Sequence, residues 1–245
     1  MGYRVDINCD VGEEIGNDEE LMPYISSCSV ACGGHIGNSL SMMETVKLAI
    51  RHSVKIGAHP SFPDRENFGR KVILMQPHEL QFSLENQIKE LMKILDGLGG
   101  KLHHVKPHGA LYNLAAVDVQ IANVIINAVK NTAPDVFLFV PYNSVIQNVA
   151  LKNEVKIKVE AFADRNYNSD LTLVPRNKDK ALITDEELIV PHLLQMIIKK
   201  KVTTIDGVEV GLKADTFCVH GDNPNVIYLL KNITKKLSEN GVEII

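Results

Sequence analysis

At 245 residues, with 45% hydrophobic and 23% charged side chains, the chain can bury one large core without help from disulfides or a structural metal. A formal net charge of −4 provides no basic footprint for nucleic acid, and no uninterrupted apolar run of about 18 residues is present to span a membrane. The first ten residues, MGYRVDINCD, have the pattern of a strand carrying charge rather than of a signal peptide, so a cytoplasmic protein is expected.

Seven short β-branched runs are predicted as strands, at residues 3–8, 27–32, 54–58, 102–106, 136–140, 155–161 and 215–219. Between them the period lengthens to that of a helix. Met42, Met43, Val46, Ala49 and Ile50 form a helical stripe behind a Ser41-x-x-Glu44 capping box. Pro77 opens a longer helix with Leu80, Leu84, Ile88, Leu91 and Leu95 on one face, stopped by Gly97 and Gly99. Asp118 can cap a third helix, striped by Ile121, Ala122, Ile125, Ala128 and Val129. Thr184-x-x-Glu187 is another capping box, with Pro191 seven residues in, which leaves a kink and a later helix start both open. Residues 202–205 and 208–210 around Asp206-Gly207 form a hairpin pattern, and residues 223–239 close the chain as a helix with Pro224 near its start.

Strands alternating with helices imply a parallel sheet with right-handed crossovers. Seven strands favour closure into a single-domain α/β fold, a seven-stranded parallel β/α barrel over residues 1–245; an open sheet is the alternative. Cys9, Cys28, Cys32 and Cys218 lie in or beside apolar strand segments and are expected as buried, reduced thiols. Cys28 and Cys32, on one strand, would stand roughly 13 Å apart, too far to share a metal.

The informative feature is where polar residues fall relative to the strands. Asp10 and Glu13 follow the first, Gly33-Gly34-His35 the second, and His59-Pro60 the third. Lys106 ends the fourth with His108 just beyond, Asp164-Arg165 follow the sixth, and His220-Gly221-Asp222 the seventh. Strand C-termini in parallel α/β folds open on one face, so these distant residues are expected to share one pocket. Of the nine histidines, four (His35, His59, His108 and His220) sit there; His52, His78 and His192 are expected on helices, and His104 beneath Lys106 in a deeper layer. Any one of them alone would be an ordinary loop residue bonded to backbone; together, beside Gly and Pro, they indicate a site.

His104 and His108 are spaced i, i+4, but Pro107 and the strand context remove the helical geometry a zinc pair needs. No helical metal motif is present, and a mixed Asp10/His59/His108 site for a divalent ion stays open. Gly97-Leu-Gly-Gly-Lys101 lacks the spacing of a phosphate-binding loop, and no G-x-S-x-G elbow occurs.

The same residues lie in seven ordered motifs. These are Asp6-Ile-Asn-Cys-Asp10-Val-Gly-Glu13, Ala31-Cys-Gly-Gly-His35, Ile56-Gly-Ala-His59-Pro-Ser-Phe-Pro-Asp64 with Phe68-Gly-Arg70, Lys106-Pro-His108-Gly-Ala-Leu-Tyr-Asn113, Glu160-Ala-Phe-Ala-Asp164-Arg165, Leu173-Val-Pro-Arg176 and Cys218-Val-His220-Gly-Asp222. On them the chain resembles the LamB/YcsF family over nearly its whole length, departing where Gly34 replaces a usual Phe and Asn38-Ser39 a usual Asp-Pro. The resemblance implies a barrel of the glycoside-hydrolase/deacetylase type and ATP-dependent opening of 5-oxo-L-proline to L-glutamate, with ADP and phosphate as the other products. It also implies partner subunits B and C, with ATP handled with or by them, and is compatible with a homo-oligomer. Carried onto this chain, Asp10, Glu13, His59, Lys106 and His108 are the candidate catalytic set. His35, Arg70, Asp164, Arg165 and His220 are the candidate substrate-binding set. The competing expectations are a stand-alone metal-dependent deacetylase-like hydrolase and a non-catalytic ligand-binding subunit.

Overall fold

The computed structural model describes residues 2–245. Its elements in chain order are β1 (Tyr3–Val11), α1 (Asp18–Leu21), β2 (Ser27–Ala31), α2 (Ser39–Arg51), β3 (Lys55–His59), α3 (Pro77–Gly97), β4 (Leu102–Val105), α4 (Gly109–Ala115), α5 (Val119–Thr132), β5 (Phe137–Pro141), α6 (Val145–Lys152), β6 (Ile157–Phe162), α7 (Glu186–Leu194), β7 (Lys201–Thr203), β8 (Glu209–Gly211), β9 (Thr216–Cys218), α8 (Val226–Glu239) and β10 (Val242–Ile244). Strands β1 to β6 and β9 run parallel, and pairing of β9 with both β6 and β1 closes them into the expected seven-stranded barrel. β10 adds to the N-terminal part of β1, and β7 and β8 form a separate antiparallel hairpin. No single helix among the described residues is long and apolar enough to cross a membrane.

β1 shows how the sequence builds the wall. Val5, Ile7, Cys9 and Val11 alternate with Asp6, Asn8 and Asp10, and a strand turns successive side chains to opposite faces. The apolar set joins the core beneath the helices. The polar set points into the barrel and bonds to other strands. Asp6 Oδ1 accepts from Ser27 Oγ at 2.7 Å and Thr216 Oγ1 at 2.6 Å, and Asn8 Nδ2 donates to Glu160 Oε1 at 3.0 Å and Thr216 Oγ1 at 2.8 Å. His104 fills the next part of the interior, 3.2 Å from Ser29 Oγ and stacked on Phe139 at 3.9 Å between centroids.

The helices follow their stripes. Pro77 is the first residue of α3, and Leu80, Leu84, Ile88, Leu91 and Leu95 are all buried. The Asp118 carboxylate accepts from Ile121 N at 2.9 Å and caps α5. Other boundaries differ from expectation for identifiable reasons. The cap of α2 is Asn38, one turn before the expected Ser41-x-x-Glu44 box, because its Oδ1 accepts from both Leu40 N and Ser41 N. The cap of α7 is Asp185 rather than Thr184, and the helix runs through Pro191 into a π turn at Gln195–Lys199. The hairpin turn spans more than Asp206-Gly207, since the ladder ends at Thr203 paired with Glu209. α8 starts at Val226, three residues after the expected Asn223, whose side chain instead accepts from Asn225 N at 3.2 Å. The short elements α1, α4, α6 and β10 lie outside the expected pattern; each is brief enough that packing rather than periodicity decides it.

Two glycines mark close approaches. A Cβ at Gly57 would stand 2.2 Å from His104 Nε2. A Cβ at Gly34 would meet Gln87 Oε1 and Ser61 Oγ at 2.4 Å each, so the space above Gly34 is taken by Gln87, which bonds the backbone N–H and carbonyl of Ser61 at 3.0 and 2.9 Å. Gly57→Ala is expected to cost roughly 1–3 kcal/mol by overpacking, seen as a lower urea midpoint with an unchanged slope.

Candidate active site

The barrel's C-terminal mouth holds a cavity of about 530 Å³, lined among others by Asp10, Glu13, His59, Lys106, His108 and His220. Arg70 and Arg165 line it too, so eight of the ten candidate residues meet on one surface. His35 and Asp164 lie one layer behind, His35 against His108 and Asp164 against His220.

At the base sits Lys106, 2% exposed. It follows β4 directly, and its backbone N–H extends the strand ladder to Ala58 O at 2.9 Å, which aims the side chain down the barrel. Its Nζ donates to Asn8 Oδ1 and Glu160 Oε1 at 3.0 Å each and to Cys218 Sγ at 3.3 Å, and pairs with Asp10 Oδ1 at 2.7 Å. That last contact is an ion pair without hydrogen-bond alignment, so Oδ1 has room for a further donor. Burial alone would lower the lysine pKa, but Asp10, Cys218 and Glu160 hold it well above the ordinary range. Conversely, burial would raise Asp10, but its contacts with His59 and Lys106 hold its carboxyl well below the usual range. Glu13 goes the other way, pushed up by burial and by the neighbouring charges of Asp10 and Asp222. Two carboxyls three residues apart are thus driven to opposite protonation tendencies.

Beside Asp10 stands a group of imidazoles. His59 Nδ1 donates to the Lys106 carbonyl at 2.7 Å, and its Nε2 lies 3.4 Å from Asp10 Oδ2. His108 Nε2 donates to the Phe68 carbonyl at 2.9 Å, and its Nδ1 faces His59 Nε2 at 2.9 Å. The His35 ring stacks on His108 at 3.7 Å between centroids and reaches Glu13 Oε1 at 3.1 Å. Burial and neighbouring imidazoles push His108 well below the ordinary histidine range, and burial with His59 pushes His35 down to about 2. Glu13, His35, His59 and His108 bring donor atoms within 4.8 Å of one another and could hold a metal ion.

Close to Asp10 as well, His220 forms a dyad. Its Nδ1 donates to Asp164 Oδ1 at 2.8 Å while its backbone N–H donates to Asp164 Oδ2 at 3.0 Å. Burial would raise Asp164, but His220 holds it below the ordinary carboxyl range. This fixes the tautomer and leaves Nε2 as the nitrogen available to the cavity. At the rim, Asp222 accepts from Arg70 and, at 3.0 and 3.3 Å, from Arg176. Arg165 donates to the Val174 carbonyl at 2.6 Å and the Ala181 carbonyl at 3.3 Å, and burial with Arg176 nearby lowers it to about 10.

A family model for the LamB/YcsF family matches residues 5–245. The chain belongs to the LamB/YcsF family. A family relative from Clostridium beijerinckii, named as the A subunit of 5-oxoprolinase, is 42% identical, covering 99% of this chain and 97% of the relative. A solved structure, the lactam utilization protein of Thermus thermophilus, superposes with a TM-score of 0.93 at 38% identity over 99% of both chains. A family 4 carbohydrate esterase from Streptomyces lividans reaches a TM-score of 0.51 at 10% identity over 99% of this chain and 91% of its own, a likeness of fold alone.

Asn8, Glu160, Cys218, Tyr112 and Arg176 belong to this LamB/YcsF site and are not among the residues that the strand-end pattern marks, whereas Asp222, which the pattern places after the seventh strand, does line the cavity. Asn8 and Glu160 carry no separate signal, since each alternates with other polar residues of its strand, Asp6 and Asp10 in β1 and Lys158 in β6. Cys218 carries none, since a thiol in a strand looks like core. Lys106→Met leaves Asp10 and Glu160 in the interior without their cation, and a loss of roughly 3–5 kcal/mol is expected near neutral pH. In the wild type the depressed Asp10 contributes stability that is present above the ordinary carboxyl range and lost as pH falls through its lowered value. Without Lys106 the same carboxyl rises, so the variant's deficit should shrink between pH 8 and pH 5; urea midpoints of both proteins at these two values measure it.

Proposed function

We propose that this chain is the A subunit of an ATP-dependent 5-oxoprolinase, cleaving 5-oxo-L-proline to L-glutamate, ADP and phosphate together with subunits B and C in the cytoplasm. The observation that carries the reading is 42% identity across almost the whole of a relative bearing that name. The lactam utilization protein that shares the entire fold, and the four free, buried cysteines expected of a reducing compartment, support it.

A lactam amide is resonance-stabilised, so opening it needs an activated carbonyl, a water and a proton for the departing nitrogen. ATP, used with the partner subunits, would supply the activation. The amide oxygen takes its terminal phosphoryl group as ADP leaves, water adds at the carbonyl carbon, the ring C–N bond breaks as nitrogen takes a proton, and a second water releases phosphate from the acyl phosphate. In this cavity His220 is the group best arranged to move a proton: Asp164 holds its Nδ1–H, and Nε2 is free to accept from water and donate to nitrogen. Asp10 is poorly basic beside Lys106 and serves to hold the ammonium and the water in place. Arg70, Arg165 and Arg176 line the cavity and neutralise a substrate carboxylate or developing phosphate charge. Asp222 keeps two of these guanidiniums together until an anion arrives.

The buried Glu13/His cluster favours a second reading, a metal-dependent hydrolase that works alone. Glutamate release from 5-oxoproline with ATP, this chain added to or omitted from its two partner subunits, separates them. Release only with all three present and ATP supplied is the expected result. Activity of this chain alone, indifferent to ATP and lost to chelator, would favour the second reading. His220→Ala is expected to lower turnover of the complex by at least about 100-fold, and Asp164→Asn to lower it through the wrong tautomer. Wild-type rates in both would move proton transfer elsewhere.

A further inference from the structure

The mouth of the barrel carries two groups of metal-ligating side chains. Asp10, Cys218 and His220 bring ligand atoms within 4.8 Å of one another, and so do Glu13, His35, His59 and His108. The first group already encloses a cation, since the Lys106 ammonium lies 2.7 Å from Asp10 Oδ1 and 3.3 Å from Cys218 Sγ. The second encloses none.

Hydrogen bonds to backbone determine which nitrogens face inward in that second group. A carbonyl oxygen only accepts, so His59 must carry a hydrogen on Nδ1 to bond Lys106 O, and His108 must carry one on Nε2 to bond Phe68 O. The nitrogens left over, His59 Nε2 and His108 Nδ1, then point their lone pairs at each other across 2.9 Å. Such a contact is repulsive unless a cation shares it. The acceptor oxygen Glu13 Oε1 joins them, 3.5 Å from His108 Nδ1 and 3.1 Å from His35 Nε2. His35 Nδ1 is buried without a partner, so its ring is held by no other polar contact than the one toward the cluster.

The spacing is that of a coordination shell. Ligand atoms about 2.1 Å from one ion lie about 3.0 Å apart at a right angle and about 3.4 Å apart at the tetrahedral angle. Three of the six separations, at 2.9, 3.1 and 3.5 Å, fall at those edges, and all six lie within 4.8 Å. Imidazoles whose other nitrogen is anchored on a backbone carbonyl are also the usual outer arrangement of metal-bound histidine. We propose that Glu13 Oε1, His35 Nε2, His59 Nε2 and His108 Nδ1 form a binding site for one borderline divalent ion of the zinc, cobalt and nickel class. Three imidazoles and one carboxylate select that class over magnesium and calcium, which take oxygen ligands. Glu13, His59 and His108 line the cavity whereas His35 backs it, so the ion has one side open to the cavity. Bound there, it would supply Lewis acidity to whatever occupies the cavity. The site stands on its own geometry and does not depend on which substrate is opened.

The test is metal binding by the isolated full-length chain. Protein stripped with chelator and dialysed is titrated with Co²⁺, followed by visible absorption and by elemental analysis after gel filtration. One equivalent bound, a cobalt–imidazole spectrum, displacement by Zn²⁺ and none by Mg²⁺ are expected. His108→Ala should weaken the binding by at least about 100-fold, whereas His78→Ala, on the exposed face of α3, should leave it unchanged. Glu13→Gln, nearly the same shape, should also weaken it and serves if His108→Ala does not fold by circular dichroism. No stoichiometric ion, or wild-type affinity in either folded cluster variant, overturns the proposal. Because the readout is bound metal, it fails or succeeds separately from glutamate release by the complex.

Discussion

A single ammonium in the middle of the barrel organises this molecule. Lys106 is withdrawn from water, and a buried charge is tolerated only when its neighbours replace the lost hydration. Asn8, Asp10, Glu160 and Cys218 do so from three other strands, β1, β6 and β9, so one side chain cross-links a large part of the barrel wall. The cost of removing any partner explains why so polar an interior is compatible with a stable fold. It also fixes Asp10 as an ionised anchor, and around that anchor the histidines are arranged.

Division of labour across the mouth follows from the electrostatics. The interior cation is enclosed by two carboxylates, an amide and a thiol, which hold it charged. The imidazole group beside them is nearly dry, and burial keeps His35 and His108 uncharged. His220, on the other side of Asp10, is bound through Nδ1 to the buried Asp164 and keeps a nitrogen turned to the cavity. The guanidiniums of Arg70 and Arg176 are the more exposed cations of the lining, where an incoming anion meets them first, while Arg165 is buried behind them. Reactive, structural and recognition groups are thus separated by depth.

The likeness to esterases at 10% identity concerns the barrel alone. A barrel offers the same geometric opportunity to every chain that adopts it: seven or eight strand ends converging on one rim. What distinguishes this chain is written in the side chains at that rim and in the small adjustments behind them. Gln87 filling the space above Gly34 is one such adjustment. It holds the Ser61 backbone next to His59 and needs no bulky residue in the loop after β2.

Much of the fold and most of the site were legible in the residues themselves. Periodicity placed all seven barrel strands and the long helices, because burial of one face is a local, repeating requirement. Histidines and acids after strand ends named the mouth, because parallel strands share a direction. β1 was the deceptive case: Asp6, Asn8 and Asp10 alternate with apolar residues as if facing water, yet they face the barrel interior, and only closure of the sheet makes that interior polar. The partners of Lys106, the opposed nitrogens of His59 and His108, and the clasp of Asp222 on Arg70 and Arg176 likewise required the tertiary structure. Each joins residues dozens to more than a hundred positions apart, and a distance of 2.9 Å between side chains is set by how strands tilt and pack around the ring. Local sequence chooses the residue types and the faces; the packed barrel chooses which of them touch.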